Sequence, residues 1–120
     1  MQAMNIFLPA PGSASLRRGR THDAGRPYLI TTSTADRAPI FARSTHARTA
    51  AALLNDARTC PNARILLWVL MPDHLHLLLE LGVDEALGRS VGRIRAAISR
   101  CLPGPGESLW QGSFHDHGLR

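Results

Sequence analysis

Residues 64–81 read RILLWVLMPDHLHLLLEL, and this stretch decides the fold. It contains two apolar runs of strand length, residues 64–71 and 74–81, separated only by Pro72 and Asp73. Two such runs with a short Pro-Asp break are typical of a β-hairpin, although periodicity alone also permits a buried helical segment. The sequence therefore predicts two antiparallel strands near the middle of the chain.

Further elements are predicted on both sides of this hairpin. Residues 28–34 (YLITTST) are β-branched and aromatic, which favours a first strand. Residues 44–58 and 84–100 carry apolar side chains at helical spacing, and Asp84 is the predicted N-cap of the second helix. Residues 109–120 are too mixed to assign beyond a strand or a loop.

The predicted order is strand, helix, strand, strand, helix, and then strand or loop. This order matches an α+β, ferredoxin-like split β-α-β fold, in which an antiparallel sheet carries its helices on one face. The second helix is predicted to bury one side against that sheet. The residues on that side are Leu87, Val91, Ile94 and Ile98.

The composition is that of one basic globular domain. The 120 residues are 44% apolar and 19% charged, which fits a single core and excludes two independent domains. All 14 basic residues are arginine, and the net charge of +5 favours a polyanionic partner. Residues 1–24 are rich in Gly, Pro and Arg and are expected to form a flexible basic arm before a domain at residues 25–120.

Several classes of protein are excluded by the sequence pattern. Cys60 and Cys101 are too few for a disulfide framework or a zinc cluster, so free thiols are expected. The longest apolar run, residues 65–71, is far shorter than the ~20 residues of a membrane span. The N-terminal residues do not match a secretory signal. We therefore expect a cytoplasmic protein without a membrane partner.

His74 and His76 are the first candidates for chemistry. Residues two apart on a strand project from the same face, so both imidazoles point one way and Leu75 and Leu77 point the other. Such a pair can supply two ligands to one divalent metal ion. By spacing alone the pair can equally be two half-buried polar residues of a strand.

The context of the pair resembles a known family. Residues 68–79, WVLMPDHLHLLL, closely resemble the W-V-x-M-P-[ND]-H-x-H signature of the single-tyrosine HUH transposases, where HUH denotes His, hydrophobic, His. Residues 109–120, LWQGSFHDHGLR, resemble the W-Q-x-x-[FY]-x-[DE]-H-x-x-R block of the REP-associated tyrosine transposases. Matches to the first strand, the segment after it and the basic helix lie in the same order, at residues 25–32, 37–41 and 91–95.

The resemblance implies a DNA transposase, a metal-dependent single-stranded DNA endonuclease. His74 and His76 would bind Mg²⁺ or Mn²⁺, and the substrate would be single-stranded or hairpin DNA. In the family a tyrosine hydroxyl attacks phosphorus and forms a 5′-phosphotyrosine link.

The sequence departs from the family at the nucleophile. The family places this tyrosine on a helix after the W-Q block, followed four residues later by Gln or Asn, and the sequence reaches Arg120 with neither. Tyr28, the sole tyrosine, is expected to be a packed strand residue. We therefore expect a transposase domain that lacks its catalytic helix and is inactive in strand cleavage. Two alternatives are a non-catalytic DNA-binding remnant or regulator, and a metal-binding protein unrelated to DNA.

The second predicted helix carries a stripe of arginines. No acidic residue lies between Glu85 and Glu107, so the local charge is uniformly positive. The stripe is either a set of DNA phosphate contacts or a solvated face. Its members are Arg89, Arg93 and Arg100, with Arg95 on the flank.

The last block supplies four more candidates for the active face. His115 and His117 repeat the H-x-H spacing around Asp116 and are expected to lie beside the metal face. A four-histidine zinc site with the first pair is the alternative. Trp110 is expected either to anchor the core or to stack against a base.

Overall fold

The computed structural model describes residues 25–104 and 109–119, so the predicted basic arm at residues 1–24 lies outside the described residues. Short 3₁₀ turns link some of the main elements. The main elements are β1 (Pro27–Ser33), α1 (Ser44–Leu54), β2 (Ala63–Met71), β3 (His74–Leu81), α2 (Leu87–Cys101) and β4 (His115–Gly118).

The four strands form one antiparallel sheet in the order β2-β3-β1-β4. The hairpin is formed by β2 and β3, and β1 lies between β3 and β4, so each helix connects strands that are not neighbours. This is the ferredoxin-like split β-α-β arrangement, and the predicted α+β fold class is confirmed. The uncertain last segment is a strand, although it is only four residues long.

The core lies between one face of the sheet and the two helices. Alternate residues of β1 and β3 point into it, and Ile30, Leu75 and Leu79 have no solvent exposure. The predicted apolar side of α2 is also correct. Its members Leu87, Val91, Ile94 and Ile98 are all at most 2% exposed.

Two helix boundaries differ from the prediction. Asp84 is not the N-cap of α2, because its backbone has a positive φ of 61° and the helix begins only at Leu87. α1 ends at Leu54, before the predicted residue 58, and a separate 3₁₀ turn follows at Ala57–Thr59. Asp56 causes this break, since its carboxylate accepts a hydrogen bond from the backbone N–H of Arg58 at 2.9 Å. Local side-chain bonds of this kind compete with helix continuation.

None of the helices in residues 25–104 and 109–119 combines the length and the apolar character that crossing a membrane requires.

Gly82 directly follows β3 at the open end of the β2–β3 hairpin, and its surroundings leave no room for a side chain. Its N–H donates to the carbonyl of Asn62 at 2.9 Å, and an added Cβ would lie 2.8 Å from that same oxygen. We expect Gly82→Ala to lower the free energy of unfolding by about 1–3 kcal/mol, because backbone must move to relieve the contact. Urea denaturation followed by circular dichroism measures this loss.

Gly88→Ala is the matched control for that substitution. Gly88 is an exposed residue of α2, and no atom lies within 4 Å of the position of its added Cβ. Alanine is favoured over glycine in a helix by about 1 kcal/mol, so this variant should be as stable as the parent or more so. If the free energy of unfolding of Gly82→Ala were no lower than that of Gly88→Ala, the open end of the hairpin would tolerate a side chain.

Candidate metal and nucleic-acid site

The two histidines lie on the face of the sheet that carries no helix. In the β1–β3 register His76 is opposite Thr31 and His74 is opposite Ser33. The leucines that alternate with the histidines are buried in the core, as the sequence predicts, and both imidazoles are half-buried on the open face. The two central strands of the sheet, β1 and β3, therefore fix the position of the pair.

The two imidazole rings are close enough to share a ligand. Their centroids lie 4.7 Å apart and their planes meet at 87°. The Nδ1–H of His74 donates to Oδ1 of Asp73 at 2.7 Å, and Nδ1 of His76 lies 3.1 Å from Oγ1 of Thr31. A hydroxyl can accept as well as donate, so both rings can carry the proton on Nδ1. That tautomer leaves both Nε2 lone pairs available for a metal ion.

The surroundings of the pair favour a neutral His76 and an ionised Asp73. Burial, and then the proximity of His74, hold the pKa of His76 below its usual value. The hydrogen bonds from His74 and then from Arg37 hold the pKa of Asp73 below its usual value. A neutral imidazole is the form that coordinates metals, and a carboxylate behind a histidine is the usual partner that orients it.

The surface around the pair is apolar on the β2 side. Val69 pairs with His76 and Met71 pairs with His74, and both side chains are 39% exposed. Water would therefore have less access, from the β2 side, to an ion or a phosphate bound at the histidines.

The β4 histidines lie on the same open face, two strands away from the pair. His115 is opposite Thr31 and His117 is opposite Leu29, so they share the face of His76. Asp116 is opposite Ile30 and therefore points to the other face, although it is exposed at the sheet edge. In residues 25–104 and 109–119 no three His, Cys, Asp or Glu residues are grouped to hold a metal ion. The four-histidine zinc site is therefore not formed in the described residues.

Trp110 lies on the helix side of the sheet, away from the histidines. It is 4% exposed and bridges to Thr34, and its Nε1–H donates to the carbonyl of Arg95 at 3.0 Å. Its ring centroid is 5.8 Å from that of Phe41. Trp110 is thus a core anchor that joins the last segment to α2, and its ring is not available for stacking on a base.

The arginine stripe of α2 divides into two kinds of side chain. Arg93 contacts the buried carboxylate of Glu85 at 3.4 Å, and Arg95 lies over the ring of Trp110 and donates to the Gln111 carbonyl. Arg89 and Arg100 are exposed. All four belong to the helical layer, so the sheet separates them from the histidine face.

Tyr28 is also on the helix side of the sheet. It is 3% exposed and belongs to the core, as expected for a packed strand residue. The phenol of the only tyrosine in the sequence is therefore on the opposite face from the histidine pair.

The sequence did not indicate two of the groups that hold the pair in place. Thr31 was seen only as part of a strand, and Arg37 only as part of a family match. The signal for Thr31 is its register opposite His76, which depends on the pairing of β1 with β3. Arg37 and Asp73 are 36 residues apart, so their contact could not be read from local spacing.

Two solved structures share this fold. A REP-associated tyrosine transposase bound to a REP hairpin matches with a TM-score of 0.66 and 21% identity over 84% of this chain. A proposed transposase from Deinococcus radiodurans R1 matches with a TM-score of 0.64 and 22% identity over 84% of both chains. No family model and no curated protein sequence matches the chain.

The chain therefore has the fold of the tyrosine transposases, and the resemblance seen in the sequence is confirmed at the level of the fold. The match covers 60% of the length of the REP-associated transposase.

Proposed function

We propose that the chain is a tyrosine transposase-like domain that binds single-stranded or hairpin DNA, with Mg²⁺ or Mn²⁺ held by His74 and His76. The main observation in support of this proposal is the histidine pair on the open face, with a carboxylate hydrogen-bonded to one of the rings. Support also comes from the fold, which is shared with a transposase bound to a REP hairpin.

The residues present fit a divalent cation. Both Nδ1 atoms have hydrogen-bond partners in Asp73 and Thr31, which directs both Nε2 atoms to the open side. Imidazole is a common ligand for Mn²⁺ and a less usual one for Mg²⁺, so the donor set favours Mn²⁺. A cation bound there would polarise a phosphate oxygen and stabilise the charge that develops on it.

The protein residues have separate roles around such a cation. Asp73 holds the tautomer and the ring orientation of His74, and Thr31 holds the ring orientation of His76. Exposed Val69 and Met71 border the site and limit the access of water on the β2 side.

The phosphotyrosine step itself is not assigned to the described residues. Tyr28 is buried on the opposite face, so a tyrosine that attacks a phosphate at the histidines must be supplied from another segment or another chain. A second candidate function is a non-catalytic DNA-binding domain or regulator with the same metal site, which needs no tyrosine at the histidines.

The exposed arginines of α2 are candidates for a second DNA contact, on the side of the sheet opposite the histidine face. Arg89 and Arg100 are exposed on one helix and are candidate phosphate contacts. Arg93 and Arg95 are less suited to this role, because their guanidinium groups are already held by Glu85 and by Trp110 and Gln111.

Fluorescence anisotropy with a labelled hairpin oligonucleotide tests the proposal. We expect binding that is tighter with Mn²⁺ than with EDTA and that weakens steeply with salt, because bound phosphates release counterions. The variant Arg89→Ala plus Arg100→Ala should reduce the magnitude of the salt slope by about 0.7–0.9 per lost contact.

The control for this variant is Arg58→Ala, because Arg58 is already paired with Asp56 at 2.8 Å. An unchanged slope in the double variant would show that the α2 arginines are only a solvated face. Absence of DNA binding by the unaltered chain would refute the proposed function.

A further inference from the structure

We propose that Arg37 is a phosphate-binding side chain of the histidine site, anchored by Asp73 and directed at the phosphate nearest His74. The inference rests on the proposed function and adds to it a residue that recognises the DNA backbone. It is carried by the continuous contact from Arg37 through Asp73 to His74. Nε of Arg37 donates to Oδ2 of Asp73 at 3.1 Å, and Oδ1 of the same carboxylate accepts from His74 at 2.7 Å.

The loop that carries Arg37 is fixed to the turn of the β2–β3 hairpin. The N–H of Thr34 donates to the carbonyl of Asp73 at 3.0 Å, and its hydroxyl donates to the carbonyl of Ala38 at 2.8 Å. The N–H of Phe41 donates to the carbonyl of Pro72 at 2.9 Å. These bonds join the loop to the turn of the β2–β3 hairpin as one rigid unit. The two segments are more than thirty residues apart in sequence.

The backbone of this loop is in an unusual conformation. Asp36 and Arg37 both have positive φ, 54° and 55°, and neither is glycine. Non-glycine residues adopt this region at a cost in energy, and such residues are concentrated at functional sites. In this conformation Nε of the Arg37 side chain lies 3.1 Å from Oδ2 of Asp73, while much of the side chain stays exposed.

The guanidinium group keeps donors free for a second partner. The Arg37 side chain is 60% exposed, and only its Nε is used by Asp73. Within residues 25–104 and 109–119, the Arg37 side chain makes no other hydrogen bond or ion pair. A planar guanidinium held at Nε can still present its terminal N–H groups to a phosphate.

The charge of Arg37 also makes the site compatible with DNA. The ionised carboxylate of Asp73 lies directly behind His74 and would repel a phosphodiester. Arg37 offsets that charge, so the Arg37–Asp73 pair beside the histidines is neutral overall, and the exposed part of the guanidinium faces the solvent. Charge cancellation and direct phosphate contact are separable, because charge cancellation needs the charge of Asp73, whereas for the phosphate contact Asp73 only positions the guanidinium.

The test compares Arg37→Ala with Arg58→Ala for binding of a single-stranded hairpin oligonucleotide in Mn²⁺. Both arginines form exposed pairs with an aspartate, but the Arg58–Asp56 pair is outside the histidine site. We expect Arg37→Ala to weaken DNA binding about tenfold, and Arg58→Ala less than about twofold. Arg37→Ala should retain the Mn²⁺ affinity of the parent chain, because both histidines keep their hydrogen bonds.

A second comparison in the Asp73→Asn background separates the two effects. Asparagine can still accept from His74 through its amide oxygen, but it carries no charge to cancel. Its amide nitrogen cannot accept from Nε of Arg37, so the anchor is weakened and a smaller effect of Arg37 is expected. We expect Arg37→Ala to cost at least about threefold in DNA affinity in this background as well. If Arg37→Ala caused no loss of DNA affinity in the Asp73→Asn background, direct phosphate contact by Arg37 would be overturned. Equal DNA affinities of Arg37→Ala and Arg58→Ala would overturn it as well. Failure of the parent chain to bind Mn²⁺ and DNA would instead refute the proposed function.

Discussion

Manganese binding is expected to fall at least about 100-fold when His74 and His76 are both replaced by alanine. The two rings lie 4.7 Å apart and are the imidazoles of the proposed site, so the double variant removes every nitrogen ligand from it. Each single replacement should remove most of the affinity, since one imidazole with water is a weak ligand set for Mn²⁺. Electron paramagnetic resonance of free Mn²⁺ measures the change directly.

The chain contains a matched control for this experiment. His115 and His117 have the same H-x-H spacing on the same open face, but they lie on β4 and are exposed. Replacing both with alanine should leave Mn²⁺ affinity within about twofold, because they are not in the proposed coordination shell. Retained Mn²⁺ affinity in the His74 and His76 double variant, or an equal loss in the β4 variant, would contradict the assignment.

Arg93→Ala is expected to lower the free energy of unfolding by about 3 kcal/mol. The reason is Glu85, whose side chain is only 2% exposed and whose Oε2 lies 3.4 Å from NH1 of Arg93. The Ser90 hydroxyl donates to the same carboxylate oxygen at 2.6 Å, but it supplies no charge. Among residues 25–104 and 109–119, removing the guanidinium would leave this buried carboxylate with the Ser90 hydrogen bond and without a counterion, which urea denaturation would detect.

Two further variants identify the cause of that loss. Arg89→Ala, on the same helix and exposed, should change stability by no more than about 0.5 kcal/mol. Glu85→Gln should restore much of the stability lost in Arg93→Ala, because the amide needs no counterion. Equal effects of Arg89→Ala and Arg93→Ala, or no gain from Glu85→Gln, would show that the buried pair is not important for folding.

The sequence predicted the fold where the signal is local. The bounds of β3 were predicted correctly at both ends, because an alternating pattern begins immediately after Pro72 and Asp73. The buried side of α2 was also predicted from periodicity alone. The start of α2 was wrong, since Asp84 is a common N-cap residue but also tolerates positive φ, and here it adopts that conformation.

The parts of the site that the sequence missed all depend on tertiary contacts. The absence of acidic residues after Glu85 indicated a free arginine stripe, but the partner of Arg93 is Glu85 itself, one residue outside that window. Arg95 is held by a tryptophan 15 residues away. Trp110 itself is a core residue, only 4% exposed. Charge patterning along one helix cannot reveal contacts with residues so far away in the sequence.

The location of the histidines on β3 links ligand binding to the folding of the whole domain. Residues 74–80 of β3 are paired with β1, and β2 pairs with the strand from its other side. Strands of this kind exchange their amide hydrogens only in the most global openings of a protein. The two proposed ligand side chains are thus held on a rigid strand before an ion binds. A free ion concentration of 100 times the dissociation constant would consequently stabilise the entire domain by about 2.7 kcal/mol.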